Sequence, residues 1–157
     1  MKLQAKVLTV SDGVHHGVRE DRSGAALVEL LVREGWVVVE SRVVPDGVES
    51  VSEALRALCE DFAGLVVTTG GTGFGPRDLT PEGTAAVLDR VAPGIAEATR
   101  SINPKLGRLS RGTAGTLGTV VIVNTPGSPK GCVECLTAVL DMIPHALSLM
   151  TGETTIH

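Results

Sequence analysis

Short runs of β-branched residues alternate along this chain with stretches whose apolar positions recur three and four residues apart. The first run, residues 5–11 (AKVLTVS), ends at the turn formers Asp12 and Gly13 and predicts a strand. Ser23 is placed to cap a helix reaching about residue 34. Leu27, Leu30 and Leu31 share one of its faces, and Gly35 stops it. Residues 36–44, rich in valine, predict a second strand closed by Pro45-Asp46-Gly47. From residue 48 to 60 the spacing of Val48, Val51, Leu55 and Leu58, with Phe62 beyond, is helical. Residues 65–68 (LVVT) predict a short buried strand that runs into a glycine-rich loop. Thr80-Pro81-Glu82 has the form of a helix start, with a capping threonine, proline at the first helical position and an acid in the first turn. That helix is predicted to reach about residue 90, and another helical piece covers residues 94–101. Residues 119–124 (TVVIVN) predict a further buried strand. Pro126-Gly127-Ser128-Pro129 then turns the chain into one long final helix. Its core stripe is Cys132, Leu136, Val139, Leu140, Ile143 and Leu147, with Gly152 beyond the end.

Strands alternating with helices predict an α/β fold, an open sheet covered on both faces. In such folds ligands sit outside the carboxyl ends of the strands, where strand order reverses. The loops at residues 11–13, 45–47, 70–78 and 126–128 all follow strands, so one sheet edge would gather them into a single site.

Composition narrows this without changing it. A chain of 157 residues predicts one domain, spanning 1–157, and its 43% hydrophobic content is ample for a packed core. No apolar run approaches the ~20 residues of a membrane span. The N-terminus begins a strand directly, without a signal-peptide cleavage pattern, so the expected compartment is the cytoplasm. A net charge of -4 and 2% aromatic residues supply neither the basic field nor the stacking platforms of a nucleic-acid binder. An anionic substrate would instead be held by backbone N–H groups, a few Arg or Lys side chains and a metal ion. The three cysteines, Cys59, Cys132 and Cys135, do not read as a disulfide framework.

Four glycines, Gly70, Gly71, Gly73 and Gly75, crowd into six positions. Glycine lets the backbone turn tightly and bring its N–H groups close to phosphate oxygens. A helix starts just afterwards, and helix N-termini favour anions. Between them stand Arg77, which can clamp a phosphate, and Asp78, which can hold Mg2+. The segment is neither a Walker loop, for which GxxxxGK(S/T) is needed, nor a dinucleotide fingerprint.

The run GGTGFGPRDLTPE resembles the motif of the molybdenum-cofactor biosynthesis family of the Mog/MoaB type, also seen in the G domain of gephyrin. The resemblance extends over nearly the whole chain. It takes in TVSDG at residues 9–13, Asp21-Arg22-Ser23-Gly24, Pro45-Asp46, Pro93-Gly94 with Glu97 and Arg100, Leu109-Ser110-Arg111, and NTPGSP at residues 124–129. What it implies is a three-layer α/β domain with a mostly parallel sheet, assembled as a homotrimer or a hexamer. Enzymes of this kind transfer AMP from MgATP to the terminal phosphate of molybdopterin and release pyrophosphate. A downstream metal-insertion enzyme then takes the product.

On this likeness Asp46 and Asp78 are the catalytic acids and hold or orient Mg2+. Gly70, Gly71, Thr72 and Gly73 cradle phosphate. Thr80 and Glu82 order the loop and touch the metal shell. Ser11, Asp12 and Ser23 line the opposite wall, and Ser110, Asn124, Pro126, Gly127 and Ser128 meet the pterin or its phosphate. Each has a plainer alternative. Asp46 suits a Pro-Asp-Gly turn, while Ser23, Thr80 and Ser128 suit helix caps.

Other features point away from chemistry. Cys132 and Cys135 have CxxC spacing but no second pair for zinc, and Cys132 falls on the core stripe. His15 and His16 are adjacent and diverge, and neither His145 nor His157 suggests a catalytic base. The sequence departs from the family at Leu117, where many members carry an arginine, with Arg108, Arg111 or Lys130 as substitutes. Two other readings therefore stand beside the adenylyltransferase. One is a non-catalytic molybdopterin-binding protein. The other is a nucleotide pyrophosphatase of the competence-damage type, against which Arg77-Asp78 argues.

Overall fold

The computed structural model describes residues 2–153; His157 lies outside the described residues. The chain runs β1 (Gln4–Val10), α1 (Asp12–His15), α2 (Arg22–Arg33), β2 (Val37–Val44), α3 (Val48–Cys59) and β3 (Gly64–Thr69). Then follow α4 (Thr80–Ala85), β4 (Arg90–Val91), α5 (Pro93–Ser101) and α6 (Pro104–Gly107). It closes with β5 (Ala114–Leu117), β6 (Val120–Thr125), α7 (Pro129–Leu140) and α8 (Ile143–Thr151).

The sheet has six strands in the order β2-β1-β3-β6-β5-β4. β2, β1, β3 and β6 are mutually parallel, and β5 and β4 add an antiparallel edge. β3 and β6 are buried along their whole length because helices cover both faces. Their side chains alternate between two cores. Leu65, Val67, Val121 and Val123 point into the core that Leu27 and Leu31 of α2 and Leu136 and Ile143 of α7 and α8 complete. Val66, Val120 and Ile122 point into the core that Val51, Leu55 and Leu58 of α3 complete. The chain places β2 on one side of β1 and then crosses to place β3 on the other. The reversal of strand order therefore falls between the carboxyl ends of β1 and β3, the position favoured for ligands. Among the described residues, no single helix is long and apolar enough to cross a membrane.

Several local expectations are corrected. The single final helix is two, α7 and α8, bent by 55°. Pro144 is the cause: it has no N–H for the Leu140 carbonyl, and its ring crowds that oxygen. The predicted stripe is nonetheless buried as a unit. The helix from Thr80 ends at Ala85 instead of near residue 90, because the following segment joins the sheet edge. There Asp89 N donates to Thr116 O and Ala92 N to Ala114 O, both at 2.8 Å. Ser23 does not cap α2. Asp21 does, accepting from Gly24 N at 2.9 Å while Thr9 Oγ1 donates to the same carboxylate. Thr80 does not cap α4 either: Leu79 holds the cap position and Thr80 is the first helical residue. Ser128 caps α7 as expected, accepting from Gly131 N at 2.9 Å.

Candidate active site

A cavity of about 370 Å3 opens at the carboxyl ends of β1 and β3, walled by Ser11, Ser23, Asp46, Gly70, Gly71, Asp78 and Gly127. Arg22 of the Asp21–Gly24 motif and Arg19, which the sequence did not single out, also reach its lining. Asp12 and Asp46 hold each other at its rim. Asp12 N donates to Asp46 Oδ2 at 2.9 Å, and Asp46 N donates to Asp12 Oδ1 at 3.1 Å. This reciprocal pair ties the loop after β1 to the loop after β2. Arg77 closes the group from outside: its Nε donates to Asp12 Oδ2 at 2.6 Å and its Nη2 to Asp46 O at 2.9 Å. The guanidinium beside Asp12 holds that carboxyl below its usual range, whereas burial pushes the Asp46 carboxyl up. Arg77 is thus bound to Asp12 rather than standing free for a phosphate.

The glycine loop is forced into its path by close approach. Gly71 has φ +69°, and a Cβ there would land on Thr80 Oγ1 and lie 3.1 Å from Asp46 Oδ1. The Thr80 hydroxyl is fully buried and, among the described residues, is a side-chain polar atom without a hydrogen-bond partner. A buried hydroxyl left unmatched beside a carboxylate marks a place for a ligand oxygen, water or cation. Asp78 sits at the far end of the loop, with Oδ2 accepting from Gly75 N at 2.8 Å. Glu82 supports the loop: both its oxygens accept from Arg111 Nη1, at 2.6 and 3.1 Å.

A second cavity, of about 390 Å3, lies on the other side of the loop and is lined by Thr72, Gly73, Leu106, Leu109, Ser110 and Pro126. It shares Gly71, Asp78 and Gly127 with the first. Asn124 works from within. Its amide donates to Thr68 and Thr84 hydroxyls at 3.0 Å each, and its oxygen accepts from Thr113 N at 3.0 Å. It therefore bolts β6 to β3 and α4 and sets the height of the Pro126-Gly127 turn, with no donor left for a substrate. Ser110 and Ser128 line a smaller hollow of about 120 Å3 behind Pro126.

The cysteines are packing groups. Cys132 is completely buried, and burial pushes its thiol up to about 11, as it does for Cys59. The His15 and His16 rings meet edge to face, with centres 5.2 Å apart.

The sequence matches the probable molybdopterin binding domain over residues 6–145. The chain belongs to this family. It is 39% identical over 152 residues to the molybdopterin adenylyltransferase of Helicobacter pylori, covering 93% of this chain and 86% of the relative. Its structure superposes on the molybdopterin biosynthesis enzyme MoaB of Thermus thermophilus with a TM-score of 0.88 at 44% identity, covering 96% of this chain and 97% of that one. The tungsten cofactor synthesizing protein MoaB of Pyrococcus furiosus gives a TM-score of 0.84 at 32% identity, covering 95% and 97% of the two chains.

The likeness drawn from the sequence implies Mg2+, and the donor set can be tested against it. Mg2+ is held by hard oxygens, through one or two carboxylates with water and substrate phosphates filling the remaining positions. Asp46 and Asp78 with the unmatched Thr80 hydroxyl form a set of that kind. Among the described residues, no group of three or more His, Cys, Asp or Glu side chains forms a closed metal cage. Leu117, the family departure, packs against the core under α3 and lines neither large cavity.

Proposed function

We propose that this protein is a molybdopterin adenylyltransferase, which transfers AMP from MgATP to the molybdopterin phosphate in molybdenum cofactor biosynthesis. The observation that carries this reading is the pair of cavities meeting at one wall, Gly71, Asp78 and Gly127. Two anionic substrates can enter from opposite sides and bring their phosphates together there. A terminal phosphate oxygen of molybdopterin attacks the α-phosphorus of ATP, a new P–O–P bond forms, and the bond to pyrophosphate breaks. Little covalent work falls to side chains, so catalysis is positioning and charge neutralisation.

In this reading ATP occupies the cavity walled by Ser11, Ser23 and Gly70, with Asp12 bracing Asp46 beside it. Molybdopterin occupies the cavity of Thr72, Gly73, Ser110, Pro126 and Gly127, supported by Asn124 and Ser128. Asp46 and Asp78, with Thr80, hold Mg2+, which offsets phosphate charge. Glu82 orders the loop. The protein works in the cytoplasm as a homotrimer and hands its product to a metal-insertion enzyme. The decisive experiment is pyrophosphate release on mixing protein, MgATP and molybdopterin. Tight pterin binding with no pyrophosphate above background replaces this reading with a binding protein.

Thr80→Val tests the metal shell. Removing an unmatched buried hydroxyl relieves about 1–3 kcal/mol of desolvation cost, so the variant is expected to be at least as stable as the parent. ATP binding by calorimetry is expected to need a higher Mg2+ concentration, since Asp46 and Asp78 remain. Unaltered Mg2+ dependence removes Thr80 from the shell.

A further inference from the structure

The loop that carries Asp78 is not held by its own sequence. It contains Gly73 and Gly75, and its internal bonds, Gly75 N to Asp78 Oδ2 and Asp78 N to Gly75 O at 3.0 Å, close only a local turn. Arg77 ties its outer side to Asp12 and to Asp46 O, and the clamp across its two ends comes from 33 residues beyond Asp78 along the chain. Arg111 Nε donates to Gly73 O at 2.7 Å, Nη2 to Asp78 O at 2.6 Å, and Nη1 to Glu82 Oε1 at 2.6 Å. Every guanidinium nitrogen is therefore used, on both ends of the loop and on the first turn of α4. Arg111 N also donates to Thr72 O at 2.9 Å. The Phe74 ring, itself 70% exposed, lies over the guanidinium with its centre 5.7 Å from Cζ.

We propose that Arg111 is a positioning residue: its planar fork clamps the 72–78 loop onto Glu82 and so sets where the Asp78 carboxylate stands between the two cavities. The proposal rests on the adenylyltransferase reading for its consequence in catalysis, but the clamp itself is a property of the protein alone. An arginine is required because three acceptors in one plane must be met by one rigid group. A lysine ammonium keeps the charge and cannot reach all of them. Glu82 orients the fork in turn. Leu109-Ser110-Arg111 thus contributes through its arginine as well as through its serine, and the arginine acts on the opposite wall of the cavity.

Arg111→Lys is the test, read in two ways. Displacing a reacting group by about 1 Å costs on the order of 10²-fold in rate, so kcat for pyrophosphate release is expected to fall by about that factor, with the KM for molybdopterin little changed. On the substrate-free protein, amide hydrogen exchange at residues 73–78 is expected to quicken while exchange in β3 and β6 stays as in the parent. Should Arg111→Lys not fold, Glu82→Gln, which keeps one acceptor for the fork, carries the same test with a smaller effect. The two substitutions combined are expected to be non-additive, since they break one connection. Parental exchange at 73–78 together with a parental kcat overturns the proposal. Exchange that quickens throughout the sheet overturns it too, because it marks a general structural role. If the parent protein itself releases no pyrophosphate, the reaction reading fails and the exchange comparison still decides the clamp.

Discussion

Asp46→Asn is expected to lower pyrophosphate release by about 10²–10³-fold, the cost typical of removing one preorganised electrostatic group, and at the same time to raise the stability of the folded protein at neutral pH. The two effects share a cause. Burial pushes the Asp46 carboxyl above its ordinary 3.8, outweighing the Asp12 N–H bond that pulls it down, and the Asp78 charge adds to the rise. A carboxyl whose folded pKa lies above its unfolded one is less readily ionised in the folded state. Its charge costs stability in full above the folded pKa, and the cost disappears as pH falls below the unfolded value. Asparagine carries no such cost and keeps a carbonyl oxygen for the Asp12 N–H bond. Urea denaturation at neutral and acidic pH measures this: the variant leads at neutral pH, and the two proteins converge in acid. Asp12 has the opposite sign. Arg77 lowers its pKa, so its contribution is present above 3.8 and lost as pH falls through the lower folded value, and exposure of the pair keeps that contribution small. Asp78→Asn is expected to lose activity comparably. If both asparagine variants turn over MgATP and molybdopterin at the parental rate, neither acid holds the metal.

The sequence made the scaffold legible where local pattern and burial agree. LVVT at residues 65–68 has no polar face to show and proves to be a central strand covered on both sides. The loops that follow β1, β2, β3 and β6 do gather at one sheet edge, because parallel strands put all those ends on the same side. What failed depended on partners far away in the chain. Asp21 and Ser23 are equally good caps on paper. The choice falls to Asp21 because Thr9, on the neighbouring strand, donates to it. AGTL at residues 114–117 has little strand propensity, and it pairs because β6 lies alongside. The break before α8 did have a local signal in Pro144. Asn124, a polar residue in an apolar strand, gives its amide to Thr68 and Thr84 and still lines the hollow behind Pro126, a double use that the sequence alone does not show. Arg111 gave no local signal of its role, since its three acceptors are spread from Gly73 to Glu82.

Gly70→Ala is expected to have the largest effect on stability, about 3 kcal/mol, combining the strain of a left-handed backbone with overpacking. Gly70 has φ +97°, and a Cβ at that position would strike the Val10 carbonyl oxygen. This is backbone, not the tip of a flexible side chain, so it cannot swing away. Val10 O belongs to the last residue of β1, and Gly70 N donates to Thr125 O at the end of β6 at 3.1 Å. The glycine is thus wedged where β1, β3 and β6 converge. Relief requires the carboxyl ends of β1 and β3 to part, which widens the cavity between them and separates Asp46 from Gly71. The variant is therefore expected to lose nucleotide affinity beyond what its lower stability accounts for, when both are measured well below its melting temperature. Gly94→Ala is the matched control. That glycine lies in the first turn of α5, and a Cβ there meets nothing within 4 Å. Alanine at that position is expected to be neutral or to stabilise by about 0.5–1 kcal/mol, the usual gain over glycine in a helix. Equal stability of the two variants in urea would mean that β1 can yield at Val10. The close approach of the loop would then be incidental to how the site is built.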